Sequence, residues 1–356
     1  MKTKIFLIGL LSLAIVGCQD NNKTTQEESK PAEKELITET QGGIKVTIEN
    51  YIRAESDVQM KGYAEKMDAF GKFAINRTRY NVDNQVTVRG NRDTYYMFGV
   101  FDLTTPITIT MPDAGDRYMS MQAISQDHNI PPSTYGPATR TYTMEEMGTR
   151  YILIGIRTFA DPNDPADVKI CHDLQDAVVV EQAEMGKLEL PNWDKQGVET
   201  LRNAINVLGS TMGSTVGWFG EKDKLDPVNR LLGTAFGWGG QPSGDAVYVN
   251  YPIEKNDGKT AYTLSVKDVP VDAFWSVIVY NSESWIPKNT RGIYSYNNIT
   301  AKKAADGSIT IHFGGDPKAD NYLEIMDGWN YLVRLYRPRE EILNGTWTFP
   351  EPVIAK

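Results

Sequence analysis

Between residues 86 and 159 the chain is a succession of short apolar runs broken by turn-forming residues, with no helix-length segment between them. Val86 to Val88, Thr94 to Leu103, Ile107 to Met111, Tyr118 to Ser125 and Tyr151 to Phe159 read as strands. Pro112-Asp113-Ala114-Gly115 and Pro131-Pro132 punctuate them. Parallel strands need long crossovers, so strands this closely spaced favour an antiparallel sandwich. Eighteen tyrosines and seven tryptophans suit such a core, and rings of this kind also line clefts for sugars or other ringed ligands.

Helical patterning stands on either side of this region. From about Thr47 to Phe70, Tyr51, Ala54, Val58, Tyr63, Met67 and Phe70 recur at helical spacing, and Arg53 and Asp57, four apart, are expected to pair on one face. After the strands, Asp164 can cap a helix, Pro165 fits its first position and Asp167 can reach back to a free amide. That helix is expected to run to about Glu184. Further helices are expected over Trp193 to Leu208 and Pro227 to Phe236, joined by the glycine-rich Gly209 to Gly220. Strand patterning then returns at Val247 to Asn250, Ala261 to Val266, Phe274 to Tyr280, Ile309 to Phe313 and Tyr331 to Tyr336, with Asp257-Gly258 and Asp306-Gly307 as expected hairpin turns. This half reads as a jelly-roll-like sandwich.

The N-terminus carries an address. Lys2 and Lys4 precede an apolar run from Ile5 to Val16, too short to span a bilayer comfortably, and Gly17 lets a peptidase reach the bond before Cys18. This is the pattern of a bacterial lipoprotein signal, with Cys18 as the lipidated mature N-terminus and the acyl chains as the partner of the membrane. Loss of Lys2 and Lys4 takes the formal charge from −9 to −11, which argues against nucleic acid and against electrostatic docking on anionic lipid. Gln19 is not an inner-membrane retention aspartate, so the outer membrane is the expected location. Only Cys171 remains after lipidation, which leaves no disulfide within one chain. The organisation expected is a signal over 1–17, a polar tether over 18–43, a helical segment over 44–80, a β-sandwich over 81–163, a helical insert over 164–240 and a second sandwich over 241–356.

Several longer motifs are recognisable. Asn91-Arg92-Asp93-Thr94-Tyr95-Tyr96, Phe101-Asp102-Leu103 and Arg117-Tyr118-Met119-Ser120-Met121-Gln122 resemble the domain-of-unknown-function family numbered 1254. Phe274-Trp275-Ser276-Val277, Ala305-Asp306-Gly307-Ser308-Ile309-Thr310-Ile311, Asp327-Gly328-Trp329-Asn330, Arg334-Leu335-Tyr336-Arg337-Pro338 and Gly345-Thr346-Trp347 resemble its companion, the family numbered 1214. Gly237-Trp238-Gly239-Gly240 looks like the linking motif. The resemblance implies a mainly β chain with an N-terminal immunoglobulin-like β-sandwich, a helical insert and a C-terminal jelly-roll-like β-sandwich. It also implies an exported bacterial protein and a homo-oligomer, possible as a trimer.

The chemistry is narrowed first by what is missing. Gly213-Ser214-Thr215-Val216-Gly217 places Thr where a nucleophile elbow needs Ser, and no phosphate loop or dinucleotide fingerprint occurs. Asp161 to Asp167 lacks the glycine and final glutamate of a calcium-binding hand. His128, His172 and His312 are not at metal-ligand spacing, so neither metal nor cofactor is expected. Cys171-His172-Asp173 falls on a helix, where consecutive side chains diverge.

The polar cluster left is Asp127-His128 at a strand end, with Asn91-Arg92-Asp93 opening the neighbouring strand. His128 is the candidate proton carrier, Asp127 or Asp93 its orienting carboxylate and Arg92 the anchor for substrate charge. Any cleft is expected at the seam between the β-domains, lined by Trp238, Tyr95, His128 and Arg53. The functional expectation is an envelope-anchored protein that binds a small organic or saccharide ligand there, with hydrolase or lyase chemistry open to it. The alternative is a non-catalytic binding or scaffold protein. A pocket enclosing His128 favours the first, and a buried, hydrogen-bonded His128 favours the second.

Overall fold

The strand Met119–Ser125 is buried along its whole length, as is Trp275–Tyr280, and Asn330–Tyr336 is buried at all but its first residue. A strand with one face in solvent alternates buried and exposed positions, so these three belong to sheets covered on both faces. The computed structural model describes residues 43–355 apart from 84, 86, 87, 213 and 214, so the leader, Cys18 and nearly all of the 18–43 tether lie outside the described residues.

In chain order the described residues form α1 (Tyr51–Lys66), β1 (Ala74–Ile75), β2 (Thr94–Asp102), β3 (Ile107–Met111), β4 (Met119–Ser125), β5 (Thr134–Tyr135), β6 (Ala138–Tyr142), α2 (Met144–Met147), β7 (Tyr151–Phe159), α3 (Pro165–Asp176) and β8 (Val179–Gln182). There follow α4 (Lys195–Gly209), α5 (Pro227–Gly237), β9 (Ala246–Val249), β10 (Tyr262–Val266), β11 (Trp275–Tyr280), β12 (Ser295–Asn297), β13 (Ile309–Phe313), β14 (Tyr322–Leu323), β15 (Asn330–Tyr336), α6 (Glu340–Leu343) and β16 (Val353–Ile354).

The strands make four sheets, ordered β1-β2-β7-β4-β5, β6-β3-β8, β12-β11-β15-β9 and β14-β13-β10-β16, antiparallel except for the β13–β14 pair. In the N-terminal half, Met97, Phe101, Met121, Ile154 and Ile156 of the five-stranded sheet share one core with Ile107 and Ile109 of the three-stranded sheet. In the C-terminal half, Leu264, Ile311 and Phe313 pack against Val277, Val333 and Leu335. Burial of each such side chain stabilises by roughly 2 kcal/mol, and the two cores make the chain a mainly β protein of two sandwiches.

Strand periodicity sends the intervening residues to the opposite faces of the two inner sheets. Tyr96, Phe98, Gln122, Ile124, Gly155 and Arg157 therefore look toward Tyr248, Leu332, Arg334 and Tyr336 across a seam. Ring packing closes that seam at one end, where Phe159 lies 4.8 Å from Phe274 and Tyr118 lies 5.5 Å from Tyr336. Helices α1, α4 and α5 pack on one another through Tyr51, Ala54, Ile205, Trp218 and Leu232, and the residues after α5 enter the seam.

Strands β3, β7 and β13 span the residues expected of them. Asp164 caps α3 by accepting from Ala166 N–H at 2.9 Å, and Asp167 reaches back to Asp161 N–H at 2.7 Å. The helix nevertheless stops at Asp176 rather than near Glu184. Val179–Gln182, β-branched at its start, pairs with β3 instead, so the insert lends a strand to the N-terminal sandwich. Gly258 and Gly307 do adopt positive φ, but their turns join strands of different sheets and are not hairpins. Arg53 and Asp57 do not pair with each other, because tertiary partners take both: Arg53 binds Asp127, and Asp57 accepts from Gln126 Nε2 and Trp193 Nε1. Among the described residues no helix is long and apolar enough to cross a membrane.

Candidate functional site

The seam holds a partly open cavity of about 210 Å³, formed where side chains of the two inner sheets fail to meet. Gly155, in the middle of β7, leaves one wall without a side chain, and a Cβ there would rest at ordinary contact distance, 3.4 Å, from the Phe98 ring. Phe98 stacks on Tyr96 at 5.1 Å and supports that wall. The opposite end is closed by the turn after α5. Trp238 is oriented by donating from Nε1 to Ser56 Oγ at 2.9 Å. Gly239 has φ +77, and a Cβ at this position would come within 2.9 Å of Ile124 Cδ1, so close approach and backbone conformation both call for glycine. Asn91 Nδ2 donates to Tyr96 OH at 2.7 Å and to Tyr336 OH at 2.8 Å, tying a phenol of each half together at the cavity edge.

Among the described residues three arginines line this cavity, Arg89, Arg157 and Arg334, and no Asp, Glu or Lys lines it with them. Arg157 donates to Gln122 Oε1 at 2.7 Å and lies 5.4 Å over the Tyr96 ring. Arg334, only 4% exposed, uses Nη2 to reach Arg89 O at 2.7 Å and Tyr280 OH at 3.0 Å, and its Nη1 has no hydrogen-bond partner among the described residues. Arg89 Nη1 is likewise buried and unpartnered. Burial, and then the positive charge of Arg334, push the Arg89 guanidinium's pKa down. Among the described residues none of the three has a carboxylate within ion-pair distance. A second, more open cleft of about 700 Å³ lies beyond the ring cluster, but there Arg117 is already paired with Asp167.

Of the candidate catalytic and ligand-binding residues, Trp238 lines the cavity and His128, Asp127, Asp93, Arg92, Tyr95 and Arg53 do not, although Asn91 beside Arg92 does. Tyr95 points to the far face of β2, where it meets His172 edge-on at 5.6 Å. Arg92 donates to Tyr80 O and covers the Tyr294 ring at 5.1 Å, and burial lowers its pKa to about 10. Asp93 is buried beneath the cavity wall, where Oδ2 accepts from Ser276 Oγ at 2.5 Å and Tyr336 OH at 3.2 Å. Its Oδ1 has no hydrogen-bond partner among the described residues, and burial pushes the carboxyl's pKa up. Asp127 turns toward Arg53 and, at 3.5 Å, Lys222. The four candidate acid-base residues thus do not converge on one point.

His128 stands behind the cavity wall. Its Nε2 accepts from Gly239 N–H at 2.9 Å, and its Nδ1 lies 2.9 Å from Thr234 Oγ1. That hydroxyl spends its one proton on Arg230 O, so Nδ1 carries the imidazole proton and donates it to Thr234. The ring stacks against Trp238 at 6.0 Å. Burial, assisted by the charge of Arg230, lowers its pKa to about 3, so the ring is neutral with both nitrogens occupied. Among the described residues no cluster of His, Cys, Asp or Glu is arranged to hold a metal ion.

Comparison with known proteins matches this two-part architecture. The family model of the protein of unknown function DUF1254 matches residues 70–145, and that of the protein of unknown function DUF1214 matches residues 247–340. No curated protein matches the sequence. The crystal structure of the VPA0106 protein from Vibrio parahaemolyticus superposes with a TM-score of 0.67 at 17% identity, covering 87% of this chain and 98% of that one. An uncharacterised protein from Burkholderia cenocepacia gives 0.53 at 12% identity, covering 86% and 88%. These likenesses show the fold alone. Tyr96 and Gln122 come from the first matched region, Arg334 and Tyr336 from the second, and Arg157 and Trp238 from the stretch between. The cavity is therefore built at the junction of two recognised regions, and the chain is one that carries a DUF1254 region followed by a DUF1214 region.

Proposed function

We propose that this chain is an envelope-tethered binding protein for a small, ring-bearing organic molecule held in the seam between its two sandwiches. The observation that carries this reading is the cavity itself, lined by both inner sheets and walled by Tyr96, Phe98, Phe236 and Trp238. Flat apolar walls with a few fixed polar groups suit a ring. At about 210 Å³ it is smaller than the roughly 300–1,000 Å³ of drug-sized sites, which favours a single-ring ligand over an extended saccharide. The reading assigns no proton transfer to His128, whose hydrogen bonds instead hold the Trp238–Gly239 wall in place.

A thermal-shift screen of the protein from Gln19 onward tests this, using single-ring acids, amides and alcohols beside mono- and disaccharides. A ligand of the native state stabilises by about 2.7 kcal/mol at a hundredfold excess over Kd. Gly155→Leu, which fills the cavity, should abolish the shift for ring compounds; a shift that survives this substitution places the ligand elsewhere. The tether rests on Cys18, and labelled palmitate should enter the wild-type protein and not Cys18→Ala.

A further inference from the structure

We infer that the ligand of the seam cavity is a ring-bearing monocarboxylate whose anionic group is received by Arg157, with Arg334 contributing a second positive charge from the opposite sheet. The inference rests on the seam being a ligand site and adds the charge of what it holds.

Among the described residues three guanidiniums line one small, ring-walled cavity, and no carboxylate lines it with them. A guanidinium does not shed its proton in a protein, so burial cannot be relieved by neutralisation as it is for Lys or His. Charge taken out of water without a counter-charge is costly, and folded proteins normally pair it. Several arginines elsewhere in this chain are paired, Arg202 with buried Glu55, Arg150 with Asp102 and Arg117 with Asp167, while Arg92 rests on a backbone carbonyl and a ring. In the seam two such groups come together, and among the described residues Arg334 Nη1 and Arg89 Nη1 are buried with no hydrogen-bond partner. Arg157 has one side-chain bond, to the neutral Gln122, and Gln122 is itself fixed by donating to Gly239 O and Gly240 O at 3.1 and 2.9 Å. Arg157 is thus held in place while most of its donors remain unspent. Asp93, behind the wall, attracts Arg334 without bonding it, so a ligand carboxylate supplies the direct partner that Arg157 lacks and can accept two parallel N–H bonds, while the attached ring lies against Tyr96, Phe98 and Trp238. The small volume and the Gly155 wall limit the ring to one.

The test is isothermal titration of the wild-type protein from Gln19 onward with benzoate, benzamide, benzylammonium and inorganic phosphate, repeated with Arg157→Gln. Benzoate should bind about tenfold or more tightly than benzamide, benzylammonium should not bind, and Arg157→Gln should remove the preference while leaving weak binding of both neutral and anionic rings. Equal affinity for benzoate and benzamide in the wild type overturns the inference and leaves the seam site standing, and this comparison does not depend on the variant folding. Binding of phosphate with no ring compound overturns both, as does silence for all four probes at millimolar concentration.

Discussion

The hydrogen bonds of His128 predict a specific dependence of stability on pH. Both ring nitrogens are engaged in a site that is 1% exposed, and the folded-state pKa is about 3 against 6.5 for an unperturbed imidazole. At pH 7 the ring is neutral in folded and unfolded chains alike. As pH falls through 6.5 the unfolded chain takes up a proton that the folded chain refuses, so the unfolded state gains about 1.4 kcal/mol per pH unit. The stability present above pH 6.5 is therefore lost as pH falls toward 3, with roughly 3 kcal/mol gone by pH 4.5. His128→Gln removes this dependence. At pH 7 the variant should be less stable than the wild type by about 2 kcal/mol, because Gly239 N–H and Thr234 Oγ1 lose well-placed partners. The gap should close at about pH 5 and reverse below it. Urea denaturation of both proteins at several pH values between 7 and 4.5 measures the difference directly. Using the difference cancels the buried Asp57 and Asp93 carboxyls, whose pKa values are raised by burial in both proteins. Parallel stability profiles for the two proteins would refute a His128 that is neutral, buried and fully hydrogen-bonded.

Two further outcomes follow from packing. Glu55, 1% exposed, receives Arg202 at 2.7 and 2.9 Å and Gln59 at 2.8 Å, fastening α4 to α1; Arg202→Met should cost roughly 3 kcal/mol in urea denaturation by stranding that carboxylate, and a loss under about 1 kcal/mol contradicts the pairing. Gly155→Ala places a methyl at ordinary contact with Phe98 and removes unfolded-state freedom, so it should raise stability by about 0.4–1 kcal/mol while weakening ring ligands, a pair of opposite shifts read by denaturation and calorimetry.

Much of the strand order was legible because the apolar runs were short and bounded by turn residues, and because Asp164-Pro165 is a self-contained helix start. Faces were harder. Tyr95 and Tyr96 are adjacent, and a one-residue choice in a strand exchanges core for cavity; nothing local tells which of two tyrosines faces the second sandwich. Asp127-His128 sits at a strand end as expected, but His128 adopts φ +53 and turns its ring onto α5, a residue stretch about a hundred positions away. The signal that would have found the seam was present in Arg157 and Arg334, single charges in the middle of otherwise apolar strands. A buried charge at such a position needs a partner, and neither strand supplies one.

The most direct measurement is a crystal structure of the protein from Gln19 onward soaked with benzoate. The account predicts ring density between β7 and β15, against Phe98 and Trp238, with the carboxylate on the Arg157 guanidinium. An empty seam at saturating benzoate, or density confined to the open cleft at Arg117 and Arg337, would contradict it.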